Sequence, residues 1–175
     1  MHNDIMVGVL GLGHDVVDIA GFEEQLNEPG TRMRALFSVR ELRQAAMRGE
    51  LKGDGESVHL AARWAGKEAV IKAWSEAIGA YDAPFTMDNT PWSQIEILDD
   101  SRGRPGVVLG EAVRQALYES VLGKGQCEPS PPDRQRGNHV GGHSGGASDT
   151  RLEWHISISH DGGIASAMVL LAKVE

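Results

Sequence analysis

The sequence has little cysteine, few aromatic residues and no long apolar run in its 175 residues. The lone cysteine, Cys127, excludes a disulfide bond within the chain. No apolar run approaches the roughly 20 residues that a transmembrane helix needs. No basic stretch precedes the short apolar run near the N-terminus, so a signal peptide is not predicted. We therefore expect a cytoplasmic protein that forms one domain over residues 1–175.

Positive charge is also scarce, because the formal net charge at pH 7 is −8. This balance argues against nucleic acid as the main partner. The charge is uneven, however, since residues 32–48 contain five arginines and one acid. Such a segment is either a solvated helix face or a surface that receives an acidic partner or a phosphate.

Apolar periodicity and turn residues predict both helices and strands. Ser38 and Glu41 have the spacing of a capping box, which supports a helix from Val39. Residues 123–150 are rich in Gly, Pro and Ser and poor in large apolar side chains, which predicts a flexible insert. The predicted elements are, in chain order, a strand at 5–12, a helix at 16–26, the helix from 39, a long helix at 59–79, a hairpin turning at 99–103, a helix at 110–122 and a hairpin turning at 161–163.

The long helix at 59–79 is the strongest of these predictions. Its large apolar residues lie on one stripe at helical spacing, and alanine and glycine cover the opposite side. Both sides are therefore expected to pack, which would make this helix central. Glu68 and Lys72 lie one turn apart at the seam between the two sides.

The N-terminal stretch GLGHDVVDI raises the question of a phosphate-binding glycine loop. A dinucleotide-binding loop needs G-x-G-x-x-G, and Gly11 and Gly13 fit this pattern. Val16 occupies the third glycine position, where helix and strand must pack closely, so this interpretation is disfavoured. Asp15 then remains as an acid at the end of a buried strand. It is either a metal ligand on rigid backbone or, like Asp18, a helix cap.

Glu68 has two interpretations. A carboxylate on a mostly buried helix is costly unless it is paired or bound to a metal. It could form a salt bridge with Lys72, which would contribute little stability. Alternatively, Glu68 and Asp15 could be oxygen ligands of Mg²⁺, which fills its other positions with water and substrate phosphate. Lys72 and Arg63, on the same helix, would then contact that phosphate.

His160 is a third candidate site residue. It shares strand parity with Ile156 and Ile158, so it extends the predicted buried face. It is either a hydrogen-bonded core residue or, with Ser157 and Ser159, part of a phosphate contact before a glycine turn. The absence of G-x-S-x-G disfavours a serine hydrolase triad.

Three potential zinc ligands, Cys127, His139 and His143, lie in the predicted insert. The histidines have H-x3-H spacing, but a structural zinc site needs a fourth ligand and a fold around it. Chance occurrence of histidine in a glycine-rich segment is the simpler interpretation.

The segments GLGHDVVDI, ARWAGKEAVIKAW, GRP and HISISHDGGIASAMV occur in this order. Together they resemble the holo-[acyl-carrier-protein] synthase family of 4′-phosphopantetheinyl transferases, and its actinobacterial members in particular. The resemblance covers nearly the whole chain except residues 123–150. It implies a compact α+β fold with a central helix packed on a small antiparallel sheet. It also implies a homotrimer with active sites between subunits.

The resemblance further implies a reaction of fatty acid biosynthesis. The family transfers 4′-phosphopantetheine from coenzyme A to a serine of an apo acyl carrier protein or carrier domain, and releases 3′,5′-ADP. Its Mg²⁺-binding acids correspond to Asp15 and Glu68, and its helix lysine, which serves catalysis and coenzyme binding, to Lys72. The other coenzyme-binding positions correspond to Arg63, His160, Gly103, Arg104 and Pro105.

Several points stay open at this level. The serine proton could pass to Glu68 or to a water molecule at the metal. Many relatives carry an arginine near Gly21 that contacts the carrier protein, and the arginines of residues 32–48 are candidates to replace it. Gly66 stands where alanine is usual, which should cost the helix up to about 1 kcal/mol. The alternative functions are a module that binds coenzyme A without transfer and a metal-dependent nucleotide hydrolase.

Overall fold

A computed structural model describes residues 7–123 and 150–174. The predicted insert, with Cys127, His139 and His143, lies outside these residues except at its two ends. Within the described ranges, no helix is long and apolar enough to cross a membrane. The elements are β1 (Val7–Asp18), α1 (Ile19–Asn27), a 3₁₀ turn (Met33–Leu36), α2 (Val39–Lys52), α3 (Glu56–Ile78), a 3₁₀ turn (Trp92–Gln94), β2 (Ile95–Asp99), β3 (Pro105–Leu109), α4 (Glu111–Leu122), β4 (Arg151–Asp161) and β5 (Ile164–Val174).

Two antiparallel sheets form the strand layer. The larger sheet has the order β1-β5-β4, and β2 and β3 pair separately as a hairpin. Gly162 and Gly163 join β4 to β5 with φ values of 55° and 84°. A two-residue turn with two positive φ angles matches the twist of the strands that it connects, which explains the glycine pair. Both hairpins are confirmed as predicted.

The N-terminal strand is longer than predicted. β1 does not end at Leu12 but continues to Asp18, which pairs with Ile164 of β5. Asp15 is therefore an internal strand residue rather than a strand-end residue. The helix cap is Asp18, whose Oδ2 accepts a hydrogen bond of 2.8 Å from the backbone of Gly21. Pairing with a distant strand extended β1 through residues whose local pattern also suits a helix.

The long helix α3 is the centre of the fold, as predicted. β1 and β5 pack on one side of it, and α2, the β2–β3 hairpin and α4 surround the rest. Its alanine side, represented by Ala65 and Ala69, and its large apolar side, represented by Trp74, are both buried. Gly66 faces Ile97, and a Cβ added at Gly66 would lie 3.0 Å from the Cγ1 atom of Ile97. Glycine therefore avoids a tight contact between α3 and β2.

A buried ion pair joins α2 to α3. Glu41 completes the predicted capping box with Ser38, and its Oε2 accepts a hydrogen bond of 2.9 Å from the Nζ of Lys67. Both side chains are fully buried. Lys67 also donates to the carbonyl oxygen of Trp92 at 2.7 Å, and Glu41 accepts from the backbone N–H of Ile97 at 3.0 Å. These shared hydrogen bonds are what make a buried charge pair tolerable.

Candidate active site

Two glycines bring β1 unusually close to α3. A Cβ added at Gly11 would lie 2.0 Å from the carbonyl oxygen of Ala73, and one at Gly13 would lie 1.9 Å from that of Ala69. No side chain fits in such a gap, so the strand backbone rests directly on the helix backbone. The glycines of GLGHD therefore serve helix–strand contact, and this contact places Asp15 beside Glu68.

Asp15 and Glu68 line one cleft, which we call the acid cleft. Both are half-buried. Burial raises the pKa of Glu68, the negative charge of Asp15 raises it further, and Lys72 partly offsets this. The two carboxylates therefore interact electrostatically. The remaining lining residues come from β1, α1, the following 3₁₀ turn and α3: Val16, Val17, Asp18, Gly21, Phe22, Gln25, Met33, Leu36 and Trp64.

Lys72 pairs with Asp15 rather than with Glu68. Its Nζ lies 2.7 Å from the Oδ1 atom of Asp15 and 3.2 Å from the carbonyl oxygen of His14. The salt bridge between Glu68 and Lys72, one of the two interpretations of Glu68 from sequence, does not form among the described residues. The structure therefore brings Asp15, Glu68 and Lys72 together at one place on the β1–α3 contact.

The donor set of the acid cleft suits a hard cation. The two carboxylates repel each other, and a cation bound between them would relieve this repulsion. Mg²⁺ commonly takes one or two carboxylates as protein ligands, and water and phosphate oxygens complete its coordination shell. Among residues 7–123 and 150–174, no group of three or more His, Cys, Asp or Glu side chains could hold a metal by itself. A shell completed by substrate and water therefore fits this pair better than a closed structural metal site.

A second cleft, which we call the basic cleft, gathers most of the other predicted residues. It is lined by Arg48, Lys52, His59, Ala62, Arg63, Ile97, Asp99, Gly103, Pro105, Ile158 and His160. Three permanent cations and two histidines face a single acid there. Such a charge balance favours binding of an anion.

Arg63 is held firmly in this basic cleft. Its side chain is only 6% exposed. It donates to the carbonyl oxygen of His59 at 3.1 Å and to the Oδ2 atom of Asp99 at 3.1 Å. Burial lowers the pKa of Arg63, and the charges of Asp99 and Glu41 oppose this shift. Its Nε is buried without a hydrogen-bond partner in the described residues.

His160 packs against a second histidine. The rings of His59 and His160 meet edge to face, with their centroids 5.5 Å apart. The Nε2 of His59 lies 2.9 Å from the Oδ1 atom of Asp54. Burial lowers the pKa of His59, and Asp54 partly counters that effect. The parity prediction for His160 is confirmed, because it follows Ile158 on the inward side of β4.

Comparisons with known proteins identify the family of this chain. Residues 11–135 match the model of the 4′-phosphopantetheinyl transferase superfamily. The chain is 52% identical over 170 residues to a holo-[acyl-carrier-protein] synthase of Bifidobacterium adolescentis, covering 93% of this chain and 99% of the relative. A synthase of Bifidobacterium animalis subsp. lactis is 49% identical, over 93% of this chain and 97% of its own.

The chain belongs to the 4′-phosphopantetheinyl transferase superfamily. Among solved structures, an ACPS–CoA complex from Chronobacterium ammoniagenes is similar with a TM-score of 0.68 and 34% identity. That match covers 95% of this chain and 96% of the other. The resemblance predicted from sequence is confirmed, and so is the α+β fold.

This transferase carries its predicted site residues in two groups. Asp15, Glu68 and Lys72 belong to the acid cleft, whereas Arg63 and His160 belong to the basic cleft with the turn residues Gly103 and Pro105. The two clefts share no lining residue in the part of the chain that the structure describes. They open on different sides of α3, because residues 63 and 68 point in different directions on a helix.

Arg104 lines neither the acid cleft nor the basic cleft. Its guanidinium pairs with Asp100, with a closest approach of 2.7 Å, and the residue lines a neighbouring groove with Trp154 and His155. Sequence reasoning missed four residues of the basic cleft: Arg48, Lys52, His59 and Asp99. Only the basic character of residues 32–48 hinted at Arg48, since that segment was predicted to be either a solvated helix face or a surface for an acidic partner or a phosphate.

Proposed function

We propose that this chain is a holo-[acyl-carrier-protein] synthase that transfers 4′-phosphopantetheine from coenzyme A to a serine of apo acyl carrier protein. The observation that carries the proposal is the acid cleft, where Asp15 and Glu68 interact across the β1–α3 contact. The family supplies the substrate class, and curated relatives near 50% identity carry this name.

The reaction breaks the pyrophosphate bond of coenzyme A and forms a phosphodiester to the serine oxygen. The serine loses its proton, and 3′,5′-ADP leaves. Such a transfer mainly needs positioned groups and neutralised charge, because the nucleophile belongs to the carrier. Asp15 and Glu68 would hold Mg²⁺, which would neutralise charge on the pyrophosphate oxygens. Lys72, beside them, would contact a phosphate oxygen as its pairing with Asp15 relaxes.

Glu68 is our candidate to accept the serine proton. It lies in the acid cleft beside Asp15, and a carboxylate there can accept a proton from a substrate hydroxyl that is bound next to it. Because the carrier serine is the nucleophile, the enzyme needs no nucleophile of its own, and Glu68 would take the proton from the serine directly. Arg63 and His160, with the backbone turn at Gly103 and Pro105, would bind the nucleotide part of coenzyme A in the basic cleft.

A homotrimer would reconcile the two separate clefts. The outer face of β1 and β5 exposes large apolar side chains, including Val9, Leu12, Val16, Ile164 and Met168, which are between 41% and 64% exposed. An apolar sheet face of this kind suits a subunit interface. We propose that the acid cleft of one protomer meets the basic cleft of its neighbour. Native mass spectrometry would test the stoichiometry directly.

The proposed partner is an acidic acyl carrier protein in the cytoplasm, in fatty acid synthesis. The arginine-rich segment offers two exposed cations without an ion pair among the described residues, Arg32 and Arg43. Three others are paired within the chain: Arg34 with Glu56, Arg40 with Glu96, and Arg48 with Asp99. Arg32 and Arg43 are therefore better placed to attract an acidic carrier protein than the three arginines that are already paired.

The test is intact-protein mass spectrometry of an apo acyl carrier protein incubated with this chain, coenzyme A and Mg²⁺. We expect a mass gain of one phosphopantetheine that EDTA abolishes. Glu68→Ala should lose this gain while still binding coenzyme A, whereas Glu119→Ala, at an exposed acid of α4, should retain it. Coenzyme A binding without transfer to any carrier would support a binding module. Its cleavage without a carrier would support a hydrolase.

A further inference from the structure

The last residue of β2, Asp99, is fixed by a glutamine of α2. The side-chain amide of Gln44 pairs with both backbone groups of Asp99. Its Oε1 accepts from the Asp99 N–H at 2.9 Å, and its Nε2 donates to the Asp99 carbonyl oxygen at 3.0 Å. Two such bonds act like a rung of a β-ladder, so the carboxylate of Asp99 starts from a defined backbone position.

The carboxylate of Asp99 then holds two arginines. Its Oδ2 lies 3.1 Å from the Nη2 of Arg63 and 3.3 Å from the Nε of Arg48. Arg63 comes from α3 and Arg48 from α2. Two guanidinium groups that contact the same carboxylate oxygen repel each other, and the negative charge of that carboxylate offsets the repulsion. Asp99 is the one acid in the described lining of the basic cleft.

Gly103 allows Arg48 to reach this position. A Cβ added at Gly103 would lie 2.7 Å from the Nη2 of Arg48, and its φ of 77° is in the region that favours glycine. The guanidinium therefore crosses the turn where a side chain would otherwise stand. Arg48 therefore lines the basic cleft.

We propose that Asp99 is a positioning residue that holds Arg48 and Arg63 as joint ligands of a phosphate group of coenzyme A. The proposal rests on the proposed function, because it takes coenzyme A as the occupant of the basic cleft. It assigns Arg48 to the coenzyme and not to the carrier protein. Guanidinium groups bind phosphate through paired N–H donors, so their orientation matters as much as their charge.

The substitution Asp99→Asn separates positioning from simple charge. Removing a negative charge from a cationic cleft should strengthen phosphate binding if only the charge counts. If Asp99 orients the two arginines, affinity should fall instead. We expect KM for coenzyme A and the calorimetric Kd for 3′,5′-ADP to rise about tenfold, the loss of roughly one charge-assisted hydrogen bond. The kcat and the KM for the carrier should stay within about twofold. Unchanged or tighter binding would overturn the proposal.

Glu96→Gln is the matched control. Glu96 joins the same two elements, α2 and β2, through its ion pair with Arg40, but it lies outside the basic cleft. It should change thermal stability without changing KM for coenzyme A. An equal rise of that KM in both variants would mean that Asp99 acts only through stability, which would overturn the positioning role.

Arg48→Ala provides a second test that does not depend on Asp99 variants folding. We expect it to weaken binding of 3′,5′-ADP and to leave the KM for the carrier unchanged. A rise in the carrier KM alone would overturn the assignment.

Arg63→Ala distinguishes a failure of the proposed function from a failure of the positioning role of Asp99. If it leaves 3′,5′-ADP binding intact, the basic cleft is not the coenzyme site and the proposed function fails there. If Arg63→Ala weakens binding and Asp99→Asn does not, only the positioning role fails.

Discussion

The two sides of α3 are held mainly by different means. On the β1 side, backbone rests on backbone at Gly11 and Gly13, and the ion pair of Lys72 with Asp15 lies at the edge of this contact. On the α2 and β2 side, buried or half-buried charges make the contacts, with Glu41 bonded to Lys67 and Asp99 bonded to Arg63. The acid cleft lies on the first side and the basic cleft on the second.

This difference indicates how each cleft keeps its geometry. The position of Asp15 beside Glu68 is set mainly by the close packing at Gly11 and Gly13, which depends little on pH or salt, and the ion pair of Asp15 with Lys72 adds to it. The positions of the arginines are set by ion pairs, which depend on both partners being present. The same helix therefore supports an acid pair on rigid packing and an anion site on a charge network. Substitutions on the β1 side should therefore act through steric clash, and those on the α2 and β2 side through the loss of charged partners.

The largest effect is expected from Lys67→Met on the charged side. This change leaves the carboxylate of Glu41 buried without its cation, which typically costs about 3–5 kcal/mol. Urea unfolding followed by tryptophan fluorescence would measure the loss. The double variant Lys67→Met with Glu41→Gln removes both charges and keeps one of the two oxygens that accept from the backbone N–H groups of Ser38 and Ile97, so it should recover part of the stability. A double variant as unstable as the sum of the two single ones would contradict the ion-pair account.

A somewhat smaller loss is expected on the packed side from Gly13→Ala. The new methyl group would meet the carbonyl oxygen of Ala69 at 1.9 Å unless β1 and α3 separate. We expect a destabilisation of about 3 kcal/mol and a loss of transferase activity as Asp15 moves from Glu68. Gly8→Ala is the control on the same strand, because a Cβ there meets nothing within 4 Å. Equal effects of the two substitutions would refute close backbone contact.

The smallest effect concerns the pH dependence of the metal-free protein. Because the folded pKa of Glu68 is raised, stability is lost as pH rises from the unfolded-state value, near 4.3, through the folded value. Glu68→Gln removes this loss. The variant should therefore be more stable than the parent at neutral pH, and the difference should vanish below about pH 4. Thermal melts in EDTA across this range would measure it. A variant that is less stable at pH 7 would show that Glu68 is favourably paired in the folded state.

Local patterns in the sequence predicted much of the fold. The capping box of Ser38 and Glu41, the glycine turn of the last hairpin and the inward parity of His160 all depend on neighbours within a few residues. They were confirmed because short-range chemistry determines them. The long helix was equally clear, since an apolar stripe and an alanine side leave few alternatives.

Features that depend on distant partners were not predicted. β1 continues to Asp18 because β5, at the other end of the chain, supplies its hydrogen bonds. In the sequence, Lys67 looks like an ordinary helix lysine. Only the fold shows that it is buried in an ion pair with Glu41. The same holds for Asp99 and Arg48. Gln44, far from Asp99 in sequence, fixes the backbone of Asp99, and Gly103, far from Arg48 in sequence, leaves room for its guanidinium.

The central claim is that the acid and basic clefts of one chain are halves of sites completed by a neighbouring protomer. Glu68→Ala and Arg63→Ala should each be inactive alone, because each destroys one half of every site. Co-expressed with distinct tags and purified as mixed trimers, they should regain activity at about one site in three, the one that combines the two intact halves. Mass gain of an apo acyl carrier protein would report it. Mixed oligomers that stay as inactive as either variant would contradict the claim, since both halves would then belong to one protomer.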